Sequence, residues 1–167
     1  LIIAALADGD YTLQGLSQAE DTRLLAQALQ TSAAQVDIRG AGTAMRFLTA
    51  YYAASGGAHC LTGSERMKQR PIGPLVEALR SLGADIDYTE KEGFPPLRIR
   101  GQQLRGGCLH LSGGVSSQYV SALLLIAPYL SSSLRLRLEG TIVSRPYINM
   151  TLALMRHFGA QAGWEAQ

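Results

Sequence analysis

The chain has 167 residues, of which 47% are hydrophobic and 17% are charged. This composition excludes a disordered polymer and suits one packed domain, or part of a larger one. Fifteen Lys and Arg residues against thirteen Asp and Glu residues leave a net charge of +2, which argues against an extended basic face for nucleic acid. The longest apolar run, residues 119–130, is too short to span a bilayer.

The chain begins with Leu1 rather than Met, inside an apolar run that covers residues 1–6. No helix-capping residue stands in front of this run, and no basic segment typical of a secretory signal accompanies it. We therefore expect that further residues precede Leu1 in the natural protein.

Hydrophobic periodicity predicts alternating helices and strands along the rest of the chain. Residues 119–128 are apolar on nearly all sides, which is typical of a central buried helix. Helical patterns cover residues 21–30, 44–52, 72–82, 119–128 and 148–158. Alternation of apolar and polar residues predicts strands at 85–88, 97–100 and 134–138.

The same order of elements occurs twice, which indicates an internal repeat. Each copy has a polar loop, an apolar helix, a strand, an Arg-Pro pair, an amphipathic helix and a Gly-Ala pair. The interval from Arg-Pro to Gly-Ala is 13 residues in the copy with Arg70 and 14 in the copy with Arg145. A partial copy precedes them, with residues 11–13 in the place of the strand. Such units bury their apolar faces only by stacking on one another.

Two cysteines, Cys60 and Cys108, each lie near a histidine, in His59-Cys60 and Cys108-Leu109-His110. A zinc site is one interpretation, but zinc ligands usually form tight pairs separated by turn residues. Strand residues that alternate between core and solvent explain both pairs better. We therefore predict no metal, no disulfide framework and a reducing compartment.

Polar clusters precede several predicted helices, where free backbone N–H groups favour an anion. The first is Arg39-Gly40-Ala41-Gly42-Thr43, and Gly113 to Gln118 occupies the equivalent place in the next copy. Arg70-Pro71 and Ser144-Arg145-Pro146-Tyr147 each open a further helix. Each cluster also has a simpler interpretation, as a capped helix start or a solvated basic loop. Their occurrence at equivalent places favours one shared ligand site.

Other polar residues are assigned structural roles. Asp21 is predicted to cap its own helix rather than serve as a site carboxylate, and His157 to interact with a helix C-terminus. No Ser-His-Asp or Cys-His arrangement stands out for catalysis. The solvent faces of two strands are predicted to hold Arg98, Arg100, Arg135 and Arg137.

The same motifs resemble the EPSP synthase family (3-phosphoshikimate 1-carboxyvinyltransferase). Its pattern matches residues 40–46, 66–73, 116–119 and 143–148, in order and across nearly the whole chain. The resemblance implies an α/β fold of repeated βαβαββ units around a pseudo-threefold axis. It also implies transfer of the enolpyruvyl group of phosphoenolpyruvate to the 5-hydroxyl of shikimate 3-phosphate, with release of phosphate and no metal or organic cofactor.

The resemblance also implies the site residues. The positions that bind phosphoenolpyruvate match Gly42, Arg70 and Gln118, and Arg46 lies in the same motif as Gly42. Gly40 stands where the family commonly has Asn. The positions that bind shikimate 3-phosphate match Ser116, Ser117, Gln118, Ser144, Tyr147 and Thr43.

Residues 1–167 are expected to form one lobe, clipped at its start, of a two-domain cytoplasmic enzyme that is monomeric at full length. The catalytic acid-base residues are expected in the other domain, so none is assigned in this chain and turnover by this chain alone is not expected. One alternative is the related transferase that acts on UDP-N-acetylglucosamine, which is expected to use a cysteine in a mobile loop. Another is a non-catalytic binding or scaffold domain built from the same repeats.

Overall fold

The computed structural model describes residues 1–7, 9 and 11–165, so Asp8, Asp10 and residues 166–167 of the predicted lobe lie outside it. Its helices are α1 (Ile2–Leu6), α2 (Glu20–Gln30), α3 (Gly42–Ala54), α4 (Glu65–Lys68), α5 (Gly73–Ser81), α6 (Ser117–Ile126), followed by a 3-10 turn (Ala127–Tyr129), and α7 (Arg145–His157). Its strands are β1 (Gln35–Asp37), β2 (Gly57–Thr62), β3 (Asp85–Tyr88), β4 (Leu97–Gly101), β5 (Gly107–Ser112) and β6 (Leu134–Glu139).

The strands form two sheets, one for each copy of the repeat. The first sheet has the order β1-β2-β4-β3, in which β1 and β2 are parallel and the other neighbours are antiparallel. The second pairs β5 with β6 in parallel. The first copy therefore completes a βαβαββ unit, and the second shows its βαβα part. The α/β fold class predicted from the sequence is confirmed.

Helices α3 and α6 lie at the centre of the described chain and pack against each other. Their sequences are apolar around most of the circumference, and most of their residues are buried. This confirms the central buried helix predicted at 119–128. Ser121 on α6 and Thr151 on α7 are buried polar groups that satisfy each other by a hydrogen bond of 2.8 Å.

Alternation in the strands also agrees with the prediction. Leu97 and Ile99 of β4 are fully buried, whereas Arg98 and Arg100, which alternate with them, are exposed. All four strand arginines, Arg98, Arg100, Arg135 and Arg137, are exposed. Each strand thus turns one apolar face to the helices and one polar face outward.

Residues 11–13, which the repeat places where a strand stands in the other copies, are not a strand. They belong to an exposed stretch with no strand beside it among the described residues, and a strand needs a neighbouring strand to satisfy its backbone. Residues 160–165 fold back onto α7, where the Arg156 side chain donates to the Ala162 carbonyl and the Trp164 indole N–H to the Asn149 side-chain oxygen. Among the described residues, no helix is long and apolar enough to cross a membrane.

Candidate functional site

The polar loops that precede α3 and α6 meet in the structure. The Gln118 side-chain amide in the first turn of α6 donates to the Thr43 hydroxyl in the first turn of α3, at 3.1 Å. These residues are 75 positions apart in the sequence. Two helix N-termini therefore lie at one place, and the positive ends of both helix dipoles favour a negatively charged ligand there.

Arg70 lies directly against the first residue of α3. A β-carbon added to Gly42 would lie 2.9 Å from the central carbon of the Arg70 guanidinium, closer than real side chains approach. Glycine is therefore required for this close packing. Two of the three residues that the resemblance assigns to phosphoenolpyruvate, Gly42 and Arg70, are thus brought together by the fold.

Arg70 is exposed and carries no ion-pair partner among the described residues. Lys68, two residues earlier, instead bridges Glu65 at 3.2 Å and Glu90 at 3.0 Å. Hydrogen bonds to Glu90 and then to Glu65 raise the pKa of Lys68. The basic loop is therefore partly neutralised, and Arg70 keeps its guanidinium available for a carboxylate or phosphate.

Arg46 supports this arrangement from inside the fold. Its side chain is only 4% exposed, and it donates to the carbonyls of Gly42 and Pro71, each at 3.1 Å. The Tyr119 hydroxyl donates to the same Pro71 carbonyl at 2.7 Å. Burial lowers the pKa of Arg46, and the positive charge of Arg70 lowers it further. Arg46 is therefore a buried brace that joins the start of α3 to the Arg70-Pro71 segment.

The hydroxyls at the start of α6 have different environments. Ser116 caps the helix, since its hydroxyl accepts from the Gln118 backbone N–H at 3.3 Å. Capping, the simpler interpretation of this cluster, is thus observed at Ser116. Ser117 follows as the first helical residue and is half-buried. Both stand next to Gln118, at the junction with α3.

Ser144 and Tyr147 open α7 beside the loop that precedes α6. The Val143 backbone N–H donates to the Gly113 carbonyl at 3.0 Å, which ties the two loops together. Ser144 has a left-handed backbone with φ of 60° and does not cap the helix through its side chain. Its hydroxyl is therefore not committed to the backbone of α7. Tyr147 is 60% exposed, and its phenol is not part of the core.

Two polar residues are placed differently from the prediction. Asp21 does not cap α2, whose N-cap is Ala19; its carboxylate instead accepts from the Thr43 backbone N–H of α3, at 3.4 Å. Asp21 therefore contributes to the N-terminus of another helix, which no local sequence signal indicates. Arg145 stacks over the Trp164 ring at 4.5 Å and does not join Ser144 at the polar cluster.

The cysteine and histidine pairs both lie on strands, His59 and Cys60 on β2 and Cys108 and His110 on β5. Cys108 and His110 are exposed with buried Leu109 between them, in agreement with the predicted alternation. His59 stacks on Tyr52 with ring centroids 3.9 Å apart. In the described part of the chain, no group of three or more His, Cys, Asp or Glu residues is arranged to hold a metal ion.

Comparison with known proteins points to one family. The family profile described as EPSP synthase (3-phosphoshikimate 1-carboxyvinyltransferase) matches residues 27–164. A 3-phosphoshikimate 1-carboxyvinyltransferase of Bacteroides fragilis (strain YCH46) is 58% identical over 164 residues, which cover 98% of this chain and 40% of that protein. The protein of the same name from Sulfurovum sp. (strain NBC37-1) is 38% identical over 187 residues, covering 96% of this chain and 44% of that protein.

Solved structures give the same result for the fold. An EPSP synthase from Acinetobacter baumannii superposes with a TM-score of 0.83 at 23% sequence identity, over 98% of this chain and 42% of that one. This likeness confirms the fold predicted from the sequence motifs. The chain spans about 40% of the length of the B. fragilis relative.

Proposed function

Because the chain belongs to the EPSP synthase family, we propose that it forms the substrate-binding lobe of a 3-phosphoshikimate 1-carboxyvinyltransferase. The complete enzyme transfers the enolpyruvyl group of phosphoenolpyruvate to the 5-hydroxyl of shikimate 3-phosphate and releases phosphate. Both substrates are small anions. The junction of two helix N-termini beside the exposed Arg70 guanidinium is chemically suited to such ligands.

One observation carries the proposal: Gly42 packs against Arg70, and the next residue, Thr43, accepts a hydrogen bond from the Gln118 side chain. Motifs from both copies of the repeat thereby contribute to one polar surface.

In the proposed site, Gly42, Arg70 and Gln118 bind phosphoenolpyruvate. Arg70 pairs with its negative charge, and the close approach of Gly42 leaves backbone groups accessible. The hydroxyls and amides of the second set orient the ring and phosphate of shikimate 3-phosphate. This set comprises Ser116, Ser117, Gln118, Ser144, Tyr147 and Thr43.

In the reaction, the methylene carbon of phosphoenolpyruvate gains a proton and the shikimate hydroxyl attacks the adjacent carbon. The shikimate hydroxyl gives up its proton as its oxygen attacks, and the resulting tetrahedral intermediate then loses phosphate together with a proton from the new methyl group, which restores the carbon–carbon double bond. Arg70 and the helix N-termini stabilise the anionic groups of the bound substrate, and the serine-rich loop holds the attacking hydroxyl in position. The proton-transfer groups are assigned to a second domain, and the chemistry needs no metal or organic cofactor.

We place the enzyme in the cytoplasm as a monomer, with small-molecule substrates as its partners. Two cysteines without a disulfide are consistent with a reducing compartment. Neither cysteine lies in a loop, which favours the shikimate substrate over UDP-N-acetylglucosamine.

Calorimetric titration of shikimate 3-phosphate into the chain tests the site assignment. Replacement of Ser117 by Ala is expected to weaken binding about ten-fold, the effect of one lost hydrogen bond to a charged ligand. Ser133→Ala, an exposed serine after the 3-10 turn, is the matched control and is expected to bind like the unmodified chain. Equal affinities for the unmodified chain and Ser117→Ala would contradict the assignment. We expect no phosphate release by these 167 residues alone, and normal turnover would refute the lobe proposal.

A further inference from the structure

A second group of reactive side chains lies outside the proposed substrate site, on the outward face of the two-stranded sheet. The Cys108 sulfur is 3.8 Å from His110 Nε2, and His110 Nδ1 is 2.9 Å from Glu139 Oε1. Cys108 and His110 alternate along β5, and Glu139 ends the neighbouring strand β6. We call these three residues the thiol relay.

The hydrogen bond to Glu139 determines which nitrogen of His110 carries its proton. An ionised carboxylate only accepts, so Nδ1 is the donor. In the neutral ring Nε2 is then left with a lone pair, and this is the atom that faces the Cys108 thiol. The order nucleophile, base and orienting carboxylate is the arrangement that activates a thiol.

The surrounding charges favour the same chemistry. In the strand register, Cys108 lies opposite Arg135 and His110 lies opposite Arg137, and all four face outward. Arg135 is paired with Glu165 at 3.0 Å, whereas Arg137 has no ion-pair partner in the described part of the chain. Exposed cysteines next to arginine and histidine are the ones that react readily.

A groove of about 530 Å³ runs beside the relay, between β5 and α5. Its volume is typical of a site for a small molecule. One wall is the edge of β5 that faces away from β6, where no described strand pairs. Such an edge offers backbone donors and acceptors to an extended peptide. The other wall is α5, which contributes Glu77 and Ser81 beside the apolar Pro74 and Ala78.

We propose that Cys108 is a site of reversible thiolation by a small peptide disulfide held in this groove. His110 accepts the thiol proton, and the Cys108 thiolate attacks one sulfur of the disulfide. A new sulfur–sulfur bond forms at Cys108 as the old one breaks. The departing thiolate takes the proton from His110, so that one disulfide is exchanged for another with no net oxidation.

The relay is tested by mass spectrometry of the chain during incubation with glutathione disulfide. Addition of one glutathionyl group at Cys108 is expected, and His110→Gln is expected to slow it about ten-fold by removing the base. Glu139→Gln is expected to slow it less, because the ring remains but loses its orientation. His157→Gln, at the exposed end of α7, is the matched control and is expected to react at the original rate. An unchanged rate in His110→Gln, or an adduct at Cys60 instead of Cys108, would overturn the proposal.

The groove is tested separately by filling it. Ser81→Trp places an indole on the α5 wall and is expected to slow thiolation by glutathione disulfide, while the reaction with the smaller bis(2-hydroxyethyl) disulfide is unaffected. Equal effects on the two reagents, including no effect on either, would show that the groove does not bind the peptide part. Circular dichroism of each variant checks that the fold is retained.

Discussion

The Arg70 guanidinium packs directly against the α-carbon of Gly42. This contact joins the loop after α4 to the first turn of α3. It also makes the position of the charged group depend on the absence of a side chain at residue 42.

We expect Gly42→Ala to raise the KM for phosphoenolpyruvate about ten-fold in the complete enzyme while the protein remains folded. The added methyl group would displace the end of the flexible Arg70 side chain rather than the backbone. The variant should therefore weaken the charge-assisted contact between Arg70 and the ligand. Steady-state kinetics of the complete enzyme measure the KM for phosphoenolpyruvate. Gly40→Ala is the control, since a β-carbon there meets nothing within 4 Å. A similar KM increase in both variants would rule out displacement of Arg70 as the cause.

Replacement of Arg46 by Met is expected to lower the free energy of unfolding by about 2–4 kcal/mol, because the carbonyls of Gly42 and Pro71 lose a charged donor. The same variant should also weaken phosphoenolpyruvate binding, because Pro71 is adjacent to Arg70. Urea denaturation measures the stability. Arg98→Met, on the solvent face of β4, is expected to change it by less than about 0.5 kcal/mol. Equal losses in the two variants would argue against the buried brace.

The hydrogen bond between Gln118 and Thr43 is expected to couple the two copies of the repeat energetically. A double-mutant cycle with Thr43→Val and Gln118→Leu should give a coupling free energy of about 1 kcal/mol in urea denaturation. Each single variant removes one end of the 3.1 Å bond. Strictly additive effects would mean that the bond contributes nothing to the junction.

Because of Tyr52, the protein is expected to lose stability as the pH becomes alkaline. Burial, assisted by Tyr51, raises the pKa of Tyr52 from 10.0 to about 12, and its hydroxyl donates to the Ala28 carbonyl at 2.9 Å. The folded state therefore favours the neutral phenol. The stabilisation is fully present below pH 10 and is lost as the pH rises toward 12.

Tyr52→Phe removes both the hydrogen bond and the titration. The variant is expected to be about 1 kcal/mol less stable at neutral pH, and the difference should narrow as the pH rises through the range from 10 to 12. Urea denaturation of both proteins across that range measures the difference. Parallel pH profiles would contradict the raised pKa.

The sequence by itself determined the elements and the family. The period of apolar residues reports which side of a helix or strand is buried, so α3, α5, α6, α7, β4 and β6 were predictable from local pattern. The four motifs carried the resemblance, and the spacing between them revealed the repeat. The strand that the repeat predicts at residues 11–13 is absent from the structure, because a strand also depends on a neighbour that local sequence does not specify.

Only the tertiary structure decided which polar groups meet. Gln118 and Thr43, Asp21 and Thr43, and Glu139 and His110 are 75, 22 and 29 residues apart. Their contacts result from the packing of helices and the register of strands, and the spacing of a motif predicts neither. Arg46 was a ligand candidate because of its motif, but the same packing buries it, where it acts as a brace. Arg70 remains exposed. Local periodicity determines burial, whereas long-range packing determines the chemistry of the surface.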